Sequence, residues 1–269
     1  MPRLLSLHPL NALDAAPIDM VRIAGRVGAD RVCLFTHVPG EARALYPFVA
    51  PADVPAIRDA LGEAGVALSN LEVFPLDRDG ELDRFREGLE TGAALGATKA
   101  TAHIHEATFQ QGVDRFAAFA ELAESHGITA GLEFYHFAGV CDIVTAERTV
   151  RAAGRGSLVL DVLHLIRGGH GAREAAAAAD LVGYAQLSDG PLAAPEDRWH
   201  ECVVERDLPG EGEFPMAEIL RSLGDDVVFE VEVPQTAARE AGVDAEGRAR
   251  RSIEAARRTL AAVPWGAQP

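Results

Sequence analysis

Ile128-Thr-Ala-Gly-Leu-Glu133-Phe134 and, further on, Ser157-Leu-Val-Leu-Asp161-Val-Leu-His164 decide how this chain folds. Each is a short apolar run that ends in a carboxylate. Between them, Val144–Ala153 has the composition of an amphipathic helix. Two strands joined by a helix pair in parallel, because a crossover returns the chain to the same end of the sheet.

The unit repeats in both directions. Upstream, the patterning predicts strands at Leu4–Leu7, Arg31–Phe35, Val66–Val73 and Thr98–His103. Helices are expected at Asp14–Val27, with Asp14 as N-cap, and at Pro51–Ala64, Asp79–Leu95 and Thr108–His126. Downstream, helix Ala172–Ala179 leads to strand Leu181–Leu187, and helix Pro215–Leu223 to strand Val227–Val233; Arg239–Ala262 closes the chain as a charged helix. Eight strand–helix units without a linker predict an α/β fold, a single-domain (β/α)8 TIM barrel over residues 1–269. The length is close to the roughly 250 residues such a barrel needs. Ser188–Phe214 exceeds an ordinary βα connection, and long loops in compact domains are often functional.

Barrel chemistry sits where strands end and βα loops begin. Those ends carry Glu72, His103 with His105, Glu133, Asp161 with His164, Gln186 with Asp189, and Glu230 with Glu232. Carboxylates or imidazoles at four successive ends, the fifth to the eighth, form the main functional signal. Glu133 is either the partner of an arginine at the mouth or a metal or catalytic group. Asp161 is either a helix N-cap or a ligand. Glu230 and Glu232 share a face by period-two alternation, so if they point inward Glu232 lies nearer the mouth and Glu230 deeper, where it needs a partner. A carboxylate-rich set suits one hard divalent ion, Mn2+ or Mg2+, rather than Zn2+.

Composition removes other classes. Acidic residues outnumber basic ones 41 to 25, a formal charge of -16, which disfavours nucleic acid or an anionic membrane surface as partner. No apolar run approaches the roughly 20 residues of a membrane span, and Met1–Pro9 is too soon broken for a signal segment. Cys33, Cys141 and Cys202 form no CxxC pair, so a reducing, cytoplasmic setting is expected. The chain has one lysine, Lys99, at the start of a strand, which leaves a Schiff-base mechanism no amine at the expected mouth. There is no GxGxxG after the first strand and no P-loop.

The set Leu132-Glu133-Phe134, Asp161-Val-Leu-His164, Gln186-Leu-Ser-Asp189-Gly190, Arg206-Asp-Leu-Pro-Gly-Glu-Gly-Glu213 and Glu232-Val-Pro234 resembles the sugar phosphate isomerase/epimerase family, the xylose isomerase-like TIM barrels. The resemblance implies one divalent ion held by Glu133, Asp161, Gln186 and Glu232, where Gln186 replaces the commoner histidine with a neutral donor. Glu232 is preferred to Glu230 because it precedes Val-Pro. His164 and Arg206, with Arg198 second, look like substrate contacts; for Arg206 a loop salt bridge is the alternative. His103 and His105 either line the pocket or are hydrogen-bonded histidines.

The resemblance implies proton transfer next to the carbonyl of a small polyol or keto-sugar, through an enediolate, with Glu133 and Glu232 removing and returning the proton. The outcome is epimerisation or aldose–ketose isomerisation, a step of carbohydrate metabolism. Lyases resembling 3-dehydroshikimate dehydratase share the proton abstraction and are the second expectation. A non-catalytic sugar-binding barrel that has lost its metal is the third. The related endonuclease IV pattern needs further histidines, but Val204-Glu205 and Gln186 stand in those places. Whether the chain forms a homo-oligomer is left open.

Overall fold

The computed structural model describes residues 3–77 and 81–265. Its strands are β1 (Leu5–Leu7), β2 (Arg31–Phe35), β3 (Ala67–Leu76), β4 (Lys99–Ile104), β5 (Thr129–Glu133), β6 (Ser157–Asp161), β7 (Val182–Leu187) and β8 (Val228–Val231). They pair in parallel in chain order, and Leu5 of β1 faces Phe229 of β8, so the sheet closes into a barrel.

Between the strands run α1 (Pro17–Arg26), α2 (Val54–Ala64), α3 (Arg86–Ala94), α4 (Phe109–Ser125), α5 (Ile143–Ala153), α6 (Val162–Arg167), α7 (Ala172–Ala177), α8 (Arg198–Val203), α9 (Met216–Leu220), α10 (Thr236–Glu240) and α11 (Ala245–Ala262). Several boundaries differ from expectation. Ala16, not Asp14, precedes α1, and Asp14 instead pairs with Arg248 of α11. The expected third helix begins at Asp79, outside the described residues; a 3-10 turn at Leu82–Phe85 leads into α3. The charged closing segment is two helices, because Gly242 at φ 86° breaks it. β3 runs three residues past Val73, to Leu76. α6 and α8 were not legible as helices, since each has only 6 residues and depends on packing rather than on a repeated apolar face.

The alternation of the strands sorts the interior. Leu5, Leu7, Leu158, Leu160, Phe229 and Val231 point outward into the core shared with the helices. The intervening residues point into the barrel. Val159, Tyr184 and Val228 form a small apolar plug. Two residues on toward the carboxyl ends stand Asp161, Gln186 and Glu230, and Glu232 lies two beyond Glu230. The barrel is therefore sealed by hydrocarbon below and lined with polar groups above.

The long loop after β7 is anchored by Asp189. Its carboxylate accepts backbone N–H bonds from Gly190, Gly210 and Phe214 at 2.8, 2.9 and 3.0 Å. Gly212 has to be glycine, since a Cβ there would stand 2.4 Å from Asp189 Oδ1 and 2.5 Å from the Gly190 nitrogen. A buried ion pair, Arg167 Nε to Glu201 Oε2 at 2.7 Å, ties α6 to α8 beside the mouth.

Candidate metal and proton-transfer site

A cavity of about 240 Å³ opens at the carboxyl ends of the strands. Its polar floor includes His8, Glu72, His103, Glu133 and Glu232, and its walls are apolar and aromatic, with Phe35, Val38, Tyr46, Tyr135 and Trp199. Of the four residues implied as ligands, Glu133 and Glu232 line the cavity. Asp161 and Gln186 lie immediately behind it, 0% and 1% exposed. Glu133, Asp161 and His164 each present an atom within 4.8 Å of the others.

Asp161 is the helix N-cap expected as one of its two readings, and it also pairs with an arginine. Its Oδ1 caps α6 by accepting from His164 N at 3.0 Å, and its Oδ2 accepts from Arg206 Nη1 at 3.1 Å. Arg206 is itself held by the Cys202 carbonyl and reaches Glu232 Oε1 with Nη2 at 3.4 Å. Its guanidinium thus bridges two of the implied ligands, buried to 5% exposure.

Three buried polar atoms around this bridge have no partner: Glu232 Oε2, Gln186 Oε1 and His164 Nδ1. Leaving an acceptor dry and unpaired costs roughly 1–3 kcal/mol. Glu232 Oε2 and Gln186 Oε1, like the carboxylates of Glu133 and Asp161, are oxygen donors of the kind a hard divalent cation takes, so the chemistry of the set fits one.

The charge balance agrees. Glu72, Glu133, Asp161, Glu230 and Glu232 are all buried. The basic groups that act on them most are Arg206 and His8, except at Asp161, where His164 comes before Arg206. Burial, aided by Glu72 and Asp161, pushes the Glu133 carboxyl well above its ordinary range. Burial lifts Glu232 to about 8 against the opposing pull of Arg206 and His8. Glu230 rises to about 7, chiefly by burial. Burial would also raise Glu72, but His8 beside it holds that carboxylate below its usual range. His8 in turn, although burial opposes its charge, is lifted to about 10, with Glu72 the first of the carboxylates that raise it.

His103 Nε2 lies 2.8 Å from Glu133 Oε2. Burial lowers that imidazole to about 4. Burial thus disfavours charge on both partners, raising the Glu133 carboxyl and lowering the imidazole. Burial also lowers His164 to about 4. The Cys202 thiol, pushed to about 12 by burial, is no thiolate and no nucleophile at neutral pH.

Glu230 is the deeper glutamate, satisfied by Ser6 Oγ at 2.9 Å and Asn70 Nδ2 at 3.3 Å, while Glu232 faces the cavity. His105 makes an edge contact with Tyr135 and is not part of the cavity lining. Arg198 bonds His136 Nε2 at 2.7 Å and also lies outside it. Asp189 serves the loop rather than the site. Lys99 opens β4 at the opposite end of the barrel. Sequence reasoning missed His8 and Asn70. His8 follows Leu5-Ser-Leu as the other site residues follow their strands, and Asn70 shares the period-two face of Glu72.

A family model described as xylose isomerase-like TIM barrel matches residues 21–259. Among solved structures, a xylose isomerase-like TIM barrel/4-hydroxyphenylpyruvate dioxygenase fusion protein superposes with TM-score 0.79 at 20% identity, over 95% of this chain; the chain spans 42% of that protein's length. The IolI protein with a bound zinc atom gives TM-score 0.80 at 17% identity, over 97% of this chain and 99% of that one. D-psicose 3-epimerase from Clostridium cellulolyticum H10 gives 0.72 at 14%, over 97% and 99%. The probable 3-DHS dehydratase AsbF from Bacillus anthracis gives 0.72 at 13%, over 93% and 98%. At these identities the likeness is one of fold. A sequence search of curated proteins found no match. Among the described residues, no helix is long and apolar enough to cross a membrane.

Proposed function

The chain belongs to the xylose isomerase-like TIM barrel family, and from that membership and its site we propose that it is a divalent-cation-dependent isomerase or epimerase. Its substrate would be a small sugar or keto-polyol that loses a proton from the carbon next to a carbonyl. Glu133, Asp161, Gln186 and Glu232 would hold the cation, Mn2+ or Mg2+ in preference to Zn2+, although IolI was solved with zinc. When bound, the ion supplies Lewis-acid polarisation of the substrate oxygens.

The observation that carries this reading is that Glu232 Oε2 and Gln186 Oε1 are buried without a partner. The protein's own groups then divide the proton work. Glu232, oriented through Oε1 by Arg206, is the base that accepts the proton. Glu133, three strands away round the barrel, returns a proton from the other side, with His103 behind it to hold that proton. Arg206 and His164 contact substrate oxygens. The aromatic walls exclude water, which strengthens each of these interactions.

A second reading, dehydration of a cyclic keto-polyol, rests on those same walls. An open-chain sugar carries a hydroxyl on nearly every carbon, and Phe35, Val38, Tyr46 and Trp199 offer few partners for them. A compact ring with one apolar face suits the cavity better. In that reaction the Glu133 carboxyl gives its proton to the departing hydroxyl. A cytoplasmic setting and an unphosphorylated substrate accompany either reading.

Solvent-proton exchange in D2O, with a panel of ketoses and cyclic keto-polyols and with or without Mn2+, separates the outcomes. Metal-dependent exchange without loss of water supports the isomerase, and water loss supports the lyase. No Mn2+ bound at saturation, and no exchange, would leave the sugar-binding barrel.

A further inference from the structure

Gln186 carries its amide with Nε2 toward Glu72 Oε1 at 3.1 Å, and its Oε1 faces no partner. A glutamine amide can turn over, exchanging its oxygen and nitrogen at little steric cost. Only the oxygen can ligate a cation. Something has to choose the orientation, and Glu72 is the neighbour that can.

Glu72 is surrounded by donors. His8 Nε2 lies 2.8 Å from Oε2, while Asn70 Nδ2 at 3.2 Å joins Gln186 on Oε1. Asn70 is itself fixed, since Thr101 Oγ1 donates to its Oδ1 at 3.0 Å and its Nδ2 also reaches Glu230. The Glu72 carboxylate is therefore held in one place as an acceptor. Turning the Gln186 amide over would set oxygen against that carboxylate, losing a charge-assisted hydrogen bond and adding repulsion.

We propose that Glu72 is a positioning residue that locks the Gln186 amide with its oxygen toward the cation, so that a neutral side chain serves as a ligand in this barrel. The role parallels that of the carboxylates that orient metal-bound histidines, whose loss typically weakens metal binding about 10–100-fold. It also explains why the site keeps a carboxylate that neither bonds Arg206 nor needs a free oxygen. The inference rests on the reading that Gln186 is a ligand.

Mn2+ titration of the full-length protein by calorimetry, with thermal melts beside it, tests the idea. Glu72→Gln should weaken Mn2+ binding about 10–100-fold. A merely structural role would lower Tm and leave the Mn2+ affinity of the folded protein unchanged, which overturns the proposal. Reversing the hydrogen bond gives a second test that survives poor folding of the first variant. Gln186→Glu alone sets two carboxylates against each other. Glu72→Gln combined with Gln186→Glu restores one donor and one acceptor, and should recover tighter Mn2+ binding than Gln186→Glu alone. Failure of that recovery also overturns the proposal. Wild-type protein that binds no Mn2+ would refute the metal site itself, a different result from wild-type binding that Glu72→Gln leaves intact.

Discussion

The two halves of the barrel contribute different things to one cavity. From β5 to β8 come the four implied ligands, Glu133, Asp161, Gln186 and Glu232, the last two each with an oxygen that has no partner. From β1 to β4 come groups whose bonds are already made: Ser6 on Glu230, His8 and Asn70 on Glu72, and His103 on Glu133. One half presents donors to a ligand, and the other holds them in place. A carboxylate buried with an unpaired oxygen is costly, so it needs satisfied neighbours that cannot move.

The largest effect should come from the open half. Glu232→Gln removes the proposed base without changing its shape, and metal-dependent proton exchange in D2O should fall about 10²–10⁴-fold. Exchange retained near the wild-type rate would move the base elsewhere, Glu230 being the next carboxylate on that strand.

Asp161→Ala strikes inside the half that carries the implied ligands. It strips the buried Arg206 of its closest carboxylate and uncaps α6. Breaking a buried ion pair by removing one partner costs about 3–5 kcal/mol, which urea unfolding of the metal-free protein would register. A loss below about 1 kcal/mol would show that Arg206 is adequately held by Cys202 and Glu232.

Acidity separates the halves more gently. Glu232 stands at about 8 in the folded protein, above the ordinary 4.5 of an unfolded glutamate. A raised value means the folded state holds the proton more tightly. Its contribution to stability is complete below pH 4.5 and disappears as pH rises through 8. His8, raised from 6.5 to about 10, acts in the same direction over its own higher window. His103 and His164, lowered from 6.5 to about 4, act the other way below pH 6.5, so the metal-free Tm should decline only above about pH 6.5, through 8. Because a cation competes with protons for Glu133 and Glu232, Mn2+ should bind more tightly at pH 8 than at pH 6, releasing protons. Calorimetry in buffers of different ionisation enthalpy measures that release, and pH-independent binding would contradict the raised carboxyls.

The smallest effect belongs to the far end of the barrel. Lys99→Met should leave turnover within about twofold of wild type, since the ammonium lies a strand's length from the cavity. A large loss would revive amine catalysis.

Much of this was legible before any coordinates. Glu133, Asp161 and Glu232 stand out because apolar strands seldom end in carboxylates, and the Val-Pro after Glu232 ranked it above Glu230. His8 and Asn70 were less visible because neither ends an obvious apolar strand in a carboxylate, and only closure of the barrel, with β1 against β8, brings Ser6, Asn70 and Glu230 together. Arg198 and Arg206 look equivalent in sequence. In space, Arg206 turns inward between Asp161 and Glu232, while Arg198 turns to His136 at the rim.

The chain by itself determined the eightfold alternation and the end of the barrel that carries the chemistry, because both follow from local periodicity and from the requirement that parallel strands be joined by crossovers. Only the tertiary structure decided which oxygens are left open. That depends on hydrogen bonds between strands far apart in sequence, such as Gln186 to Glu72, and no local pattern encodes a partner more than a hundred residues away.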